Sequence, residues 1–137
     1  MQLNPYLSFN GNCEEAFNFY AKVFGAKIEA MIRGGETPMA EQIPQDRRDK
    51  IMHARLSVGG TLLMASDTAG EHYKKSEGIM VTINIEKPAE AERVFKELAA
   101  GGKVEMALQE TFWAQRFGML TDRFGTPWMI NCERPLQ

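Results

Sequence analysis

The chain has 137 residues, 44% of them hydrophobic and 25% charged, with a formal net charge of −2; that is the make-up of one globular domain able to bury a core without a disulfide or metal staple. Basic residues are scattered among acidic ones, as in Asp46-Arg47-Arg48-Asp49-Lys50, which argues against the concentrated basic face that nucleic acid binding requires. No apolar run approaches the 18 or so residues of a membrane span, and Met1 to Asn10 lack the basic flank and apolar stretch of a signal peptide, so a cytoplasmic protein with no membrane partner is expected.

In chain order, Asn4 to Asn10 reads as a strand. Asn12 is placed to cap a helix, with Glu15 at the capping-box position, and Ala16, Phe17, Tyr20, Val23 and Phe24 follow at helical spacing until Gly25. Lys27 to Arg33 is a second strand. The stretch from Gly34 to Lys50 is a long loop of the kind that is either flexible or a lid. Ile51 to Val58 and Thr61 to Asp67 form a hairpin about Gly59-Gly60. The polar segment 68–78 reads as a linker.

Beyond the linker the plan repeats. Ile79 to Glu86 alternates, with Ile79, Val81, Ile83 and Ile85 on one face. Pro88 suits a first helical turn, Ala91, Val94, Phe95, Leu98 and Ala99 make the apolar stripe, and Gly101-Gly102 ends it. Strands follow at Lys103 to Gln109, Ala114 to Asp122 and, after a turn at Arg123 to Gly125, Thr126 to Glu133. The two halves are offset by about 75 residues, so the economical reading is a duplicated βαβββ module, 1–67 and 79–134, within a single domain 1–137. The fold class is α+β. Cys13 and Cys132 stand at opposite ends and are expected to be buried free thiols.

The run Pro5-Tyr6-Leu7-Ser8-Phe9-Asn10-Gly11-Asn12, with Glu14-Glu15-Ala16 and Phe19-Tyr20-Ala21-Lys22-Val23-Phe24-Gly25, resembles the PhnB-like branch of the vicinal oxygen chelate superfamily, which includes glyoxalase I, bleomycin-resistance and extradiol dioxygenase proteins. His53 to Gly60, Leu63 to Asp67 and Thr121 to Gly125 are similar to the same branch, with Arg123 and Thr126 as turn variations. The resemblance implies that each module curls a mixed sheet, that the two form a cup, and that the protein is a homodimer. Metal-using members hold a divalent ion with His, Glu or Gln from the first and last strand of each module. Carried onto this chain, those positions fall on Pro5 or Tyr6, Leu63 or Met64, Met80 and Met129, none of which is a good donor. No metal or other cofactor is therefore expected.

If the helix covers one face of each sheet, the other face lines the cup. On that face the strand pattern places Tyr6, Ser8, His53, Arg55, Ser57, Thr82, Asn84, Met129 and Asn131, with Phe112 and Trp113 at the mouth. The candidate ligand-binding set is Tyr6, Ser8, His53, Arg55, Asn84, Trp113 and Met129. Arg55 is the natural partner of an anionic or carbonyl group, or else it pairs with a carboxylate such as Glu41 or Glu110. His53 is a candidate base or a satisfied strand residue. No serine sits in a glycine-flanked elbow, and Gly34-Gly35 opens no helix of a dinucleotide site. The expected function is metal-free binding of a small molecule. The alternatives are a superfamily enzyme (lyase or dioxygenase type) with a relocated metal or with His53 and Arg55 chemistry, and an interaction subunit whose cup is occluded.

Overall fold

The computed structural model describes residues 1–68 and 70–135. Ala69, inside the expected linker, and residues 136–137 lie outside the described residues. The chain forms two compact units, Met1–Lys75 and Ser76–Gln137.

In the first unit, β1 (Tyr6–Phe9), α1 (Cys13–Phe24), β2 (Lys27–Arg33), β3 (Ile51–Val58) and β4 (Thr61–Asp67) make a four-stranded sheet of order β1-β4-β3-β2 with one covering helix. The second unit repeats this with β5 (Val81–Asn84), α2 (Pro88–Ala99), β6 (Lys103–Gln109), β7 (Ala114–Thr121) and β8 (Pro127–Glu133), in the order β5-β8-β7-β6. In each sheet the first and last strands pair in parallel and the other neighbours are antiparallel. The architecture is thus the α+β duplication of βαβββ that the alternation and glycine stops point to.

Strand alternation decides what α1 covers. Leu7 and Phe9, Ala54 and Leu56, Leu63 and Ala65 are buried, and they meet Ala16, Phe17, Tyr20 and Val23 of the helix. Phe9 packs edge-on to Phe17 at 6.3 Å between ring centres. In the second unit Ala91, Val94, Phe95 and Leu98 face Leu120, Trp128, Ile130 and Cys132. A side chain of leucine or phenylalanine size contributes roughly 1.5–3 kcal/mol when buried in this way. At Gly118 an added Cβ would lie 2.8 Å from Phe95 Cε2 and 2.9 Å from Leu108 Cα, so only glycine allows the strand this close to the helix.

The strand bounds and the cap of the first helix differ from expectation. The fifth strand spans Val81–Asn84 rather than Ile79 to Glu86, because Val81 faces Trp128 and the residue one step back on β8 is Pro127, which has no N–H to continue the ladder. Ile79 is left 75% exposed. The first strand is likewise trimmed to Tyr6–Phe9.

The long loop holds three 3-10 turns, Gly34–Glu36, Ala40–Gln42 and Gln45–Arg47. It is closed at its base by Gly34 N to Lys50 O at 3.1 Å and Gly35 N to Arg48 O at 2.8 Å. Within it Arg48 Nε donates to Ile43 O at 3.1 Å.

Asn12 does not cap α1 through its side chain. Asp67, at the end of β4, does that work: its Oδ1 accepts from Cys13 N at 2.9 Å and its Oδ2 from Ile51 N at 2.8 Å. Asn12 Oδ1 is enclosed without a hydrogen-bond partner among the described residues. Replacing Asn12 with alanine is therefore expected to cost less than about 0.5 kcal/mol, against ~1 kcal/mol for a bonded cap. Urea denaturation measures the difference, and a loss of a full cap's worth contradicts the Asp67 assignment.

Candidate functional site

The face of the first sheet opposite α1 carries Tyr6 and Ser8 from β1, His53, Arg55 and Ser57 from β3, and Met64 and Ser66 from β4. The register is Tyr6 beside Met64, Met64 beside Arg55, and Arg55 beside Ala30. Tyr6 and His53 reach over the intervening β4, so that Tyr6 Oη lies 3.2 Å from His53 Nδ1 and the rings stack with centres 5.8 Å apart. The Ser8 hydroxyl meets that of Thr68.

Arg55 is half-buried and, among the described residues, makes no side-chain hydrogen bond or ion pair. The pairing with Glu110 that the sequence left open is not formed, because Glu110 binds Arg134 at 3.2 Å. Other arginines are engaged: Arg33 with Glu14 and Glu36, Arg116 with Glu92, Arg93 with Glu97. An unspent guanidinium beside a Tyr–His pair concentrates hydrogen-bonding chemistry on this face.

The second sheet's uncovered face is less polar. Asn84 sits across from Asn131, whose Nδ2 donates to Asn84 Oδ1 at 3.1 Å. Thr82 sits across from Met129, with its hydroxyl 3.7 Å from the thioether. Trp113, 46% exposed, packs edge-on against Phe112 at 4.8 Å and Phe117 at 5.3 Å. Of the candidate residues, the fold brings Tyr6 to His53, Asn84 to Asn131 and Trp113 to Phe117. It leaves Ser8 with Thr68 and Met129 with Thr82.

Both cysteines are free and buried. Burial, followed by the nearby carboxylates of Asp67 and Glu14, pushes the Cys13 thiol up to about 12. Burial also raises that of Cys132, against the pull of Arg116. Neither is a nucleophile at neutral pH. His72, the other histidine, is exposed beside Glu71.

Residues 1–131 match the model of the family described as 3-demethylubiquinone-9 3-methyltransferase. The chain belongs to this family. Its fold is that of the vicinal oxygen chelate superfamily, whose PhnB-like branch the sequence resembles. Protein YjdN of Escherichia coli strain K12 is 41% identical over 139 residues, covering 96% of this chain and 95% of that one. The crystal structure of protein PA1353 from Pseudomonas aeruginosa superposes with a TM-score of 0.90 at 51% identity, over 98% of this chain and 99% of that one. The fosfomycin resistance protein FosX of Listeria monocytogenes shares the glyoxalase/bleomycin-resistance fold at a TM-score of 0.68 and 8% identity, covering 98% and 94% of the two chains.

The metal of the superfamily's metal-using members can be tested against the strand positions. Tyr6 faces Met64, and Met129 faces Thr82. Met80, expected at the fourth place, precedes β5 and is replaced there by Thr82. Neither pair, a phenol with a thioether or a thioether with a hydroxyl, offers a divalent ion the imidazole and carboxylate ligands it takes. Among the described residues no three His, Cys, Asp or Glu side chains come together.

Two features escaped the sequence. The contact of Tyr6 with His53 depends on strand order, which spacing along the chain does not reveal. Glu86, Gln115 and Glu133 line a cleft with Asn84 and Asn131; each is a lone polar residue near a strand end, with nothing to distinguish it from ordinary surface.

Proposed function

We propose that this protein binds a small organic molecule without a metal, through the uncovered face of its first sheet, with Arg55 meeting an anionic or carbonyl group of the ligand. The observation that carries the reading is the guanidinium of Arg55, half-buried and with no carboxylate partner among the described residues. A bidentate donor in that position is matched by a carboxylate or phosphonate. Tyr6, Ser8 and His53 supply further hydrogen-bonding groups, and Met64 an adaptable apolar contact. FosX, which has the same fold, is a resistance protein for a small molecule, fosfomycin.

Benzoate is a suitable probe. Titration into isotopically labelled protein is expected to move the Arg55 side-chain resonance and the amides of His53 and Ser57, while benzyl alcohol binds at least about tenfold more weakly. Arg55→Gln is expected to remove that difference. Equal binding of the acid and the alcohol, or shifts confined to other residues, overturns the assignment.

A second reading is enzymatic. It is favoured by the Tyr6–His53 contact at 3.2 Å, the geometry in which a phenol orients an imidazole for proton transfer. Turnover of glutathione hemithioacetals or catechols that is lost in both His53→Ala and Tyr6→Phe would establish it. The family's description names methyl transfer, to which this reading assigns no residue. Cytoplasmic location and a homodimer complete the proposal; no helix among the described residues is long and apolar enough to cross a membrane. Sedimentation velocity tests the dimer, and a monomer at micromolar concentration removes it.

A further inference from the structure

An asparagine side chain can cyclise onto the main-chain nitrogen of the next residue when that nitrogen carries a proton, is not held by another hydrogen bond, and sits in backbone free to turn. The fold withholds these conditions from five of the chain's six asparagines. Asn4 precedes Pro5, which has no N–H. Asn12 precedes Cys13, whose N–H is held by Asp67 Oδ1 at 2.9 Å. Asn18 stands inside α1, where the following amide belongs to the helical ladder. Ile85 N, next after Asn84, donates to Asn131 O at 2.9 Å. Asn131 and Cys132 are fixed within β8, opposite Phe117 and Arg116.

Asn10 differs in every respect. It is exposed in the bend that follows β1, and Gly11 after it makes the only Asn-Gly step in the sequence. Among the described residues neither the Asn10 side chain nor the Gly11 N–H makes a hydrogen bond. Gly11 has a φ of 90°, a conformation open to glycine, and it carries no Cβ to shield its nitrogen.

We infer that Asn10 is a site of spontaneous covalent modification, converting to aspartate and isoaspartate through a cyclic imide closed by Gly11. Gly11 N, having given its proton to hydroxide, attacks Asn10 Cγ. The new N–Cγ bond forms, the bond from Cγ to the side-chain nitrogen breaks, and that nitrogen takes a proton from water and leaves as ammonia. Water then opens the imide. Attack at Cγ gives aspartate, whereas attack at the main-chain carbonyl gives isoaspartate, with the chain routed through Cβ and Cγ; nothing is oxidised or reduced. Either product adds a negative charge just ahead of Glu14 and Glu15. Isoaspartate also lengthens a connection whose two ends are tied to one residue, since Phe9 pairs with Asp67 and Cys13 N donates to it. The inference is independent of the Arg55 reading, which involves neither residue.

The test incubates the intact protein at neutral and at mildly alkaline pH, in buffer and in concentrated urea. Electron-transfer fragmentation of the tryptic peptide Met1–Lys22 locates the change and separates isoaspartate from aspartate. The native protein is expected to convert at Asn10 alone, within about tenfold of the rate in urea, because an exposed bend needs no opening to react. Conversion is expected to be faster at the higher pH, where more of the Gly11 amide is deprotonated, and to be abolished in Asn10→Ser. An Asn10 still intact in the native protein when the urea sample has converted, or intact in both after weeks, overturns the inference. So does earlier conversion at another asparagine of the native chain, or a rate indifferent to pH. The wild-type comparisons decide the matter even where the variant fails to fold.

Discussion

Replacing Asp122 with alanine is expected to destabilise the protein by about 3 kcal/mol, lowering the midpoint of thermal unfolding by on the order of 10 °C. Asp122 is 3% exposed and lies where β7 ends. Its Oδ1 accepts from Phe124 N at 2.9 Å and Thr126 N at 3.0 Å, and its Oδ2 accepts from the indole Nε1 of Trp128 at 2.8 Å. The backbone closes the same turn, with Asp122 N to Thr126 O at 2.9 Å and Gly125 N to Asp122 O at 3.0 Å. One carboxylate thereby sets the β7–β8 turn and fixes the largest side chain of the second core.

Without the carboxylate, the buried indole N–H and the turn amides lose their acceptors, and each unsatisfied donor costs roughly 1–3 kcal/mol. Relief from burying a charge returns part of that sum. Asp122→Asn keeps one acceptor oxygen but turns an NH₂ toward a donor, so it is expected to lose about half as much or more. Urea unfolding followed by tryptophan fluorescence measures both. A loss under about 1 kcal/mol in the alanine variant would mean that the desolvation of the charge cancels its three bonds.

Asp122 also marks the boundary of what the sequence discloses. The stretch Thr121 to Gly125 is visible as a turn and as part of a family pattern, since aspartate and glycine have backbone preferences that act within a few residues. That the same carboxylate holds the indole of Trp128 is a property of the folded hairpin. The helices are legible for the same local reason: their stripes and their glycine stops lie within one window. The cap of α1 is not, because the residue that caps it, Asp67, lies 54 positions from Cys13, and the local candidate Asn12 was the more obvious choice.

The candidate site divides along the same line. Period-two alternation was enough to put Tyr6, Ser8, His53 and Arg55 on one face, since a strand buried on one side fixes the direction of every side chain on it. It was not enough to show that Tyr6 meets His53, which requires that β4 lie between β1 and β3. Nor did it reveal that Arg55 lacks a carboxylate partner among the described residues. Charge pairing is set by which strand ends and loops come close, and Glu110 is taken by Arg134 rather than by Arg55. The Glu86–Glu133 cleft is assembled from the ends of β5, β7 and β8, three elements whose adjacency no spacing rule supplies.

The thiols yield the second large effect, an alkaline one. In the fold the Cys13 thiol is pushed up to about 12 from an ordinary value of 9.0, first by burial and then by Asp67 and Glu14. A group whose folded value lies above its unfolded value stabilises the fold fully below the unfolded value, and that contribution is lost as pH rises toward the folded one. For Cys13 the window is therefore about pH 9 to about pH 12. Within it the unfolded chain has released a proton that the folded chain keeps, so stability falls by about 1.4 kcal/mol per pH unit, up to on the order of 4 kcal/mol across the window. Cys132, also raised by burial, adds to the slope in the same direction. Urea midpoints measured from pH 8 to pH 11 are expected to fall more steeply for the wild type than for Cys13→Ala, whose intrinsic packing loss is the same at every pH. Parallel curves contradict the assignment. At pH 8 the folded thiol is almost wholly protonated, so a disulfide reagent is expected to label Cys13 on the order of a thousandfold more slowly in the native protein than in urea.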